Sequence, residues 1–145
     1  MNIYIGCDPG VNGGIAVITC KDAYAFKMPQ TLKDLFDAID EIATTSKNEG
    51  CEIMCYLESV SSSPQMGVVS SFTFGRGYGN LEMALIATGI PFERVRPQVW
   101  QKAMGCMTKG EKNITKRKAQ ELYPDIKVTH AIADALLIAT YGLKQ

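Results

Sequence analysis

The sequence predicts an α/β fold: a mixed five-stranded sheet, built from a three-strand antiparallel meander plus two parallel strands, with helices on both faces. Three observations lead there. Strand-like runs at 2–8, 14–20 and 23–28 are joined by links so short that they make antiparallel neighbours. A stretch of helical periodicity at 31–50 then precedes the apolar run 51–59, and a helical connection of that kind makes the next strand parallel to one of the others. The closing segment "THAIADALLIATYG" (129–142) reads as a helix with an almost wholly apolar body, fit for a core.

Taken in order, "MNIYIGCD" alternates like a strand from the first residue, so no signal or transit peptide is expected ahead of the fold. "DPGVNGG" is a turn, "GIAVITC" the second strand and "AYAFKM" the third, after a Lys21-Asp22 turn. "TLKDLFDAIDEIATTSKNEG" is an amphipathic helix. Thr31 is its N-cap with Asp34 three residues on, Leu32, Leu35, Phe36, Ile39, Ile42 and Ala43 form one stripe, and Gly50 ends it. "CEIMCYLES" is the fourth strand and "SVSSSPQMG" a loop. "VVSSFTFGRGYGNLEMALIATG" is mostly helical, with Gly75 and Gly79 spaced to let the helix back lie close on a sheet or a partner. "IPFERV" is the fifth strand, and "RPQVWQKAMG" opens a short helix with Pro97 in its first turn. "CMTKGEKN" is a polar loop, "ITKRKAQELYP" a helix stopped by Pro124, and the last helix runs to about Tyr141. No repeats interrupt the pattern, and residues 1–145 read as a single domain.

The composition, 46% hydrophobic and 21% charged, is that of an ordinary globular core. No apolar run approaches the ~20 residues of a membrane span, so no membrane partner and a cytoplasmic location are expected. The five cysteines are an odd number. Cys7, Cys20, Cys51 and Cys55 lie in or beside apolar strand-like runs and read as small buried hydrophobes in a reducing compartment. Zinc at Cys51-x-x-x-Cys55 is disfavoured, because no second pair follows. The zero net charge argues weakly against a nucleic-acid partner, yet it hides an asymmetry. Eight basic residues and one acid, Glu111, fall between Arg94 and Lys118, and a segment so biased can follow a polyanion or simply be a solvated face.

Three carboxylates stand where apolar elements end or break: Asp8 at the close of the first strand, Glu58 at the close of the fourth, and Asp134 within the last helix, one turn after the only histidine, His130. Neighbouring strands lie ~4.8 Å apart, so Asp8 and Glu58 can share one space. A helix packed across those strand ends adds Asp134 and His130 on one face. Two carboxylates ~4 Å apart repel by roughly 4 kcal/mol at an effective dielectric near 20, so such a cluster demands protons, cations or a metal. No Lys or Arg is close to any of them in sequence, and hard divalent ions are natural partners for carboxylate oxygens. Taken singly, each residue also has a plain structural role. Asp8 can cap the DPG turn, Glu58 can end in solvent, and His130 can be a hydrogen-bonded residue near a helix start.

"GCDPGVNGGIAV", "YLES" and "HAIADALLIATYG" resemble the three acidic motifs of RuvC-type Holliday-junction resolvases, especially the short phage and bacterial branch, and organellar resolvases are also similar. "SSFTFGRGYGNLEMALIATGIPFERVRPQVWQKAMG" and "KNITKRKAQELYP" resemble that branch's connecting segments, so the likeness spans nearly the whole chain. The resemblance implies a ribonuclease-H-like fold, a homodimer, and metal-dependent endonuclease cutting of two symmetric strands of a four-way DNA junction, in recombination and repair. It carries the metal-ligand carboxylates onto Asp8, Glu58 and Asp134. The fourth position, usually an Asp, falls on His130. The catalytic-support lysine falls on Lys112, with Lys116 the alternative, and another lysine-bearing position of the longer relatives falls on Trp100.

Two Mg²⁺ ions are the expected cofactor, with Asp8 bridging and Glu58 and Asp134 each anchoring one. His130 would ligate an ion or accept a proton from the attacking water. Its nitrogen suits Mn²⁺ better than Mg²⁺, so Mn²⁺ is expected to substitute well. Arg96, Lys109, Lys112, Lys116, Arg117 and Lys118 would track phosphates. Gln65, with Met66, is a candidate wedge and Arg76 a phosphate contact. Phe72 or Phe74 would stack on an unpaired base, although with Tyr78 their helical spacing also suits core or dimer contacts, and Trp100 reads as core. The helix holding Gly75 and Gly79, with Met83 and Leu85, is the expected dimer face. The rival readings are a hybrid- or flap-cutting nuclease of the same fold, a non-catalytic junction-binding protein, and a nucleotide-binding fold of the actin and sugar-kinase type. The last needs two such domains, so no nucleotide cofactor is expected.

Overall fold

A computed structural model describes residues 1–145. Strands β1 (Asn2–Asp8), β2 (Gly14–Ile18) and β3 (Ala23–Lys27) are followed by helix α1 (Leu32–Glu49), strand β4 (Glu52–Glu58) and helix α2 (Val68–Ala87). Strand β5 (Phe92–Val95) then leads into helices α3 (Pro97–Ala103), α4 (Lys112–Leu122) and α5 (His130–Leu143). The sheet order is β3-β2-β1-β4-β5. The meander β1-β2-β3 is antiparallel, and β4 pairs parallel with both β1 and β5. The mixed sheet is the one expected, with the first strand at its centre.

Strand alternation divides the molecule into two cores. Ile3, Ile5 and Cys7 of β1, with Cys55 and Leu57 of β4, face Leu35, Ile39 and Ile42 of α1 and Leu81 and Leu85 of α2. On the opposite face Tyr56 of β4 and Ala16 of β2 meet Trp100 of α3, Ala119 of α4 and the apolar body of α5. Asp8 and Glu58 continue the second set, since they stand two residues after Gly6 and Tyr56.

Helix α5 is seated on glycines. A methyl group at Gly6 would overlap the Ala135 carbonyl and the Ala139 backbone, and one at Gly14 would press on the Ala131 carbonyl at 2.6 Å. Alanines at i, i+4 and i+8 therefore lie directly on β1 and β2. That close approach brings the first turns of α5 over the C-terminal end of β1.

Several expectations need correction. Leu32 and Phe36 are 58% and 42% exposed, because α1 meets the sheet through Leu35, Ile39, Ile42 and Ala43 while Leu32 opens onto a cleft against α2. Gly75 and Gly79 do not press on the sheet, for a Cβ at either would meet open space. Leu85 is fully buried in the core shared by α1, α2 and the sheet, so it cannot belong to a partner face, whereas Met83 and Ile86 are exposed. Strand β2 stops at Ile18, since the Thr19 hydroxyl donates to Asp22 Oδ1 at 2.8 Å and closes a turn that leaves Cys20 exposed. Cys7, Cys55 and Cys106 are buried and Cys51 is partly so. Helix α4 starts earlier than its apolar pattern, because Glu111 caps it by accepting from the Asn113 N–H at 3.2 Å and so takes Lys112 into the first turn. No helix is long and apolar enough to cross a membrane.

Candidate functional site

The parallel register pairs Cys7 with Leu57, so Asp8 and Glu58 close adjacent strands at the same level. Both follow the alternation onto the α5 side of the sheet. The seat of α5 on Gly6 and Gly14 then sets Asp134 beside them, and the three carboxyl groups share one field.

Burial pushes the Asp8 carboxyl up to about 8, with the negative charges of Glu58 and Asp134 adding to it and Lys112 opposing. Burial likewise pushes Glu58 up to about 7, against the pull of its hydrogen bond from Trp100, with Asp134 adding. Asp134 is raised by burial, opposed by the Thr115 hydroxyl and by Lys112 and His130. The Thr115 hydroxyl itself donates to the Lys112 carbonyl at 3.1 Å. One residue thus sits between the first turn of α4 and the carboxylate on α5.

The site contains one orphan. Asp134 Oδ1 is buried and has no hydrogen-bond partner, which costs on the order of 1–3 kcal/mol or more for a charged group unless something else satisfies it. Glu58 is better supplied: the Trp100 Nε1–H donates to its Oε2 at 2.7 Å, leaving Oε1 without that constraint. No three His, Cys, Asp or Glu side chains are gathered as a ready-made metal centre. The four expected ligands are therefore neighbours and not a closed coordination shell. The three carboxylates nevertheless fit a hard divalent cation: oxygen donors, mutual repulsion that a cation relieves, and a buried oxygen of Asp134 lacking a partner.

The structure brings Asp8, Glu58, Asp134 and Lys112 into one electrostatic group, with His130 exposed at the start of α5 and within reach of Asp134's field. Lys116, Arg117 and Lys118 continue along α4, and Lys109 lies in the preceding loop with a left-handed φ of 47°. Arg96 is the N-cap of α3 and opens on a separate hollow of about 270 Å³ with Tyr56 and Tyr141. Gln65 is exposed in the 59–67 loop. Arg76 lines a cleft of about 700 Å³ between α1 and α2, and this cleft reaches Gly10, in the turn after Asp8. There Phe74 packs on Gly10, whose φ of 105° a side chain rarely adopts. Phe72 is 71% exposed, while Tyr78 packs against the α1–α2 core.

Three neighbours were missed from sequence. Trp100, expected as core and at a lysine-bearing position of the longer relatives, donates to Glu58, and the need of a buried indole N–H for an acceptor is the signal that points to it. Thr115 and Cys106, the latter raised by burial and by the charge of Asp134, carry no sequence signal at all.

Among solved structures, the chain resembles Thermus thermophilus RuvC with a TM-score of 0.64 and 17% identity, over 96% of this chain and 92% of that one. It has the RuvC fold. T. thermophilus RuvC in complex with a Holliday junction substrate matches equally, with a TM-score of 0.63 and 18% identity over 97% and 92% of the two chains. The ribonuclease-H-like architecture expected from the acidic motifs is therefore present through the whole chain. No protein-family model matches the sequence, and no curated protein does.

Proposed function

We propose that this protein is a metal-dependent endonuclease that resolves four-way DNA junctions by hydrolysing phosphodiester bonds in two symmetric strands, working as a homodimer of one nuclease domain spanning residues 1–145. The observation that carries the reading is the Asp8–Glu58–Asp134 group at the strand ends of a RuvC fold, Glu58 buried and the two aspartates half-buried, with an unsatisfied carboxylate oxygen inside it. That one of the matching RuvC structures holds a Holliday junction substrate supports the choice of DNA.

Asp8, Glu58 and Asp134 would hold Mg²⁺, two ions being the natural number for this donor set, with Mn²⁺ an effective substitute. Bound there, the ions supply charge relief on the phosphorane, an activated water and help for the leaving 3′-oxygen. The chain's own residues do the rest. Asp8 feels the charges of both other carboxylates and would be a ligand shared between the ions. Lys112 brings a positive charge to the scissile phosphate. His130 accepts the proton of the attacking water or joins the ligands. Lys109, Lys116, Arg117, Lys118 and Arg96 hold backbone phosphates without reading sequence, and Gln65 and Arg76 meet the junction from the 59–67 loop and α2.

The test is cleavage of a labelled synthetic four-way junction beside a matched linear duplex and an RNA–DNA hybrid, with wild-type and Asp8→Asn protein in Mg²⁺, Mn²⁺ and EDTA. Paired symmetric nicks on the junction alone, lost in EDTA and in the variant, are expected. Cutting of the hybrid instead would keep the chemistry and discard the substrate. Tight junction binding without cutting under any condition would make this a binding module.

A further inference from the structure

Trp100 is the only tryptophan in the chain and is fully buried in the α3–α5 core, yet its polar atom points out of that core and into the carboxylate group. The contact has a structural cause. Ser59 N–H donates to the Val95 carbonyl at 2.7 Å, so the ends of β4 and β5 are tied together. Helix α3 begins two residues after Val95, and its first turns therefore overhang Glu58. An indole has one donor and no acceptor. Buried, it must find an oxygen, and the oxygen it finds is Glu58 Oε2 at 2.7 Å, a length typical of a charge-assisted bond.

Three consequences follow for Glu58, which is itself only 8% exposed. Its side chain is held in one orientation from above. One lone pair of Oε2 is taken by the indole, while Oε1 carries no bond from Trp100. The partner is neutral, so it cancels none of the charge that Glu58 carries when ionised. A lysine in that position would cancel it.

Resting on the proposed metal-dependent reading, we infer that Trp100 is a positioning residue: its indole N–H holds the Glu58 carboxyl in the orientation in which it would meet the metal. Outer-shell hydrogen-bond partners of this sort typically set metal affinity by 10–100-fold. Because the chain has no other tryptophan, the same bond makes Trp100 a reporter of what Glu58 binds, without DNA and without turnover.

The experiment is a Mg²⁺ titration of metal-stripped protein, followed by Trp100 emission and by calorimetry, on wild type, Glu58→Gln and Trp100→Phe. Circular dichroism and junction binding in EDTA establish that the variants are folded. The expected result is a saturable change in wild-type emission that follows the calorimetric isotherm. It should be absent in Glu58→Gln, whose amide oxygen still accepts from the indole. Calorimetric affinity in Trp100→Phe should be weaker by 10–100-fold, with junction binding in EDTA unchanged. Wild-type affinity in folded Trp100→Phe overturns the inference and leaves the metal site standing, as does a wild-type isotherm with no change in emission. Absence of any Mg²⁺ binding to wild type overturns the inference together with the metal-dependent nuclease reading.

Discussion

Replacing Asp8 by Asn removes the carboxyl that this fold holds furthest from its ordinary range. Burial, then the charges of Glu58 and Asp134, raise it from 3.8 to about 8. A raised folded-state value means that the native protein keeps a proton the unfolded chain has released. The associated stability is fully present below about pH 4, is lost steadily as pH rises toward 8, and changes no further above that. Each pH unit in the interval corresponds to ~1.4 kcal/mol for one proton. Between pH 5 and 7 the native carboxyl remains largely protonated and the unfolded one largely ionised, so Asp8 alone removes about 3 kcal/mol, a large share of a typical 5–15 kcal/mol. An isosteric amide cannot ionise and escapes this loss. Urea unfolding in EDTA at pH 5, 6 and 7 is the assay, with the difference between Asp8→Asn and wild type as the quantity read. That difference should grow by ~1.4 kcal/mol per pH unit in favour of the variant. Mg²⁺ should then recover stability in wild type at pH 7 and little in the variant, since a ion bound only by the native state stabilises it. A difference independent of pH, or one that grows in favour of wild type, would mean that Asp8 is ionised and well paired, and the cation-demanding cluster would have to be abandoned.

Four further outcomes are expected. Gly6→Ala forces α5 off β1, because the added methyl meets backbone that cannot rotate away, and should cost about 3 kcal/mol or more by urea unfolding; a loss under 1 kcal/mol would refute the glycine seat. Gly75→Ala combined with Gly79→Ala fills open space on α2 and should hold or raise thermal stability by helix propensity, while weakening self-association by analytical ultracentrifugation; unchanged association would move the dimer face elsewhere. Replacing Lys116, Arg117 and Lys118 together by alanine should flatten the plot of log affinity against log salt for junction binding by about 0.9 per lost phosphate contact, and an unaltered slope would take α4 out of the DNA path. His130→Asp should shift the metal preference of cleavage from Mn²⁺ toward Mg²⁺, and an identical preference would exclude the imidazole from the ligand set.

Much of the site was legible because its residues violate local patterns. Asp8 and Glu58 interrupt apolar strands at their last positions, and Asp134 interrupts an apolar helix, so each can be found without knowing what lies beside it. Caps were legible for the same local reason. Thr31 accepts from the Asp34 N–H at 3.1 Å and Gly50 adopts the left-handed conformation that ends α1, both as expected. Glu111 was not legible, since an Asx- or Ser-type cap is the usual cue and a glutamate serves here. Lys112 lies 104 residues after Asp8 in the sequence and is coupled to it only because α4 and α5 pack on one face of the sheet. Leu85 and Gly79 belong to one helix, yet the first is core and the second meets open space, a division that depends on which way α2 is rolled on the sheet.

By itself the sequence determined the elements, their order, the mixed character of the sheet and the three acids that end or break its apolar runs, because periodicity and chain connectivity act over a few residues and are written in residue type. Only the tertiary structure decided that α5 rests on Gly6 and Gly14, that Trp100 bonds Glu58 across 42 residues, and that Asp134 keeps one oxygen without a partner. Those contacts follow from strand register and from the volumes of side chains that meet across the sheet, and such quantities exist only once the chain has closed on itself.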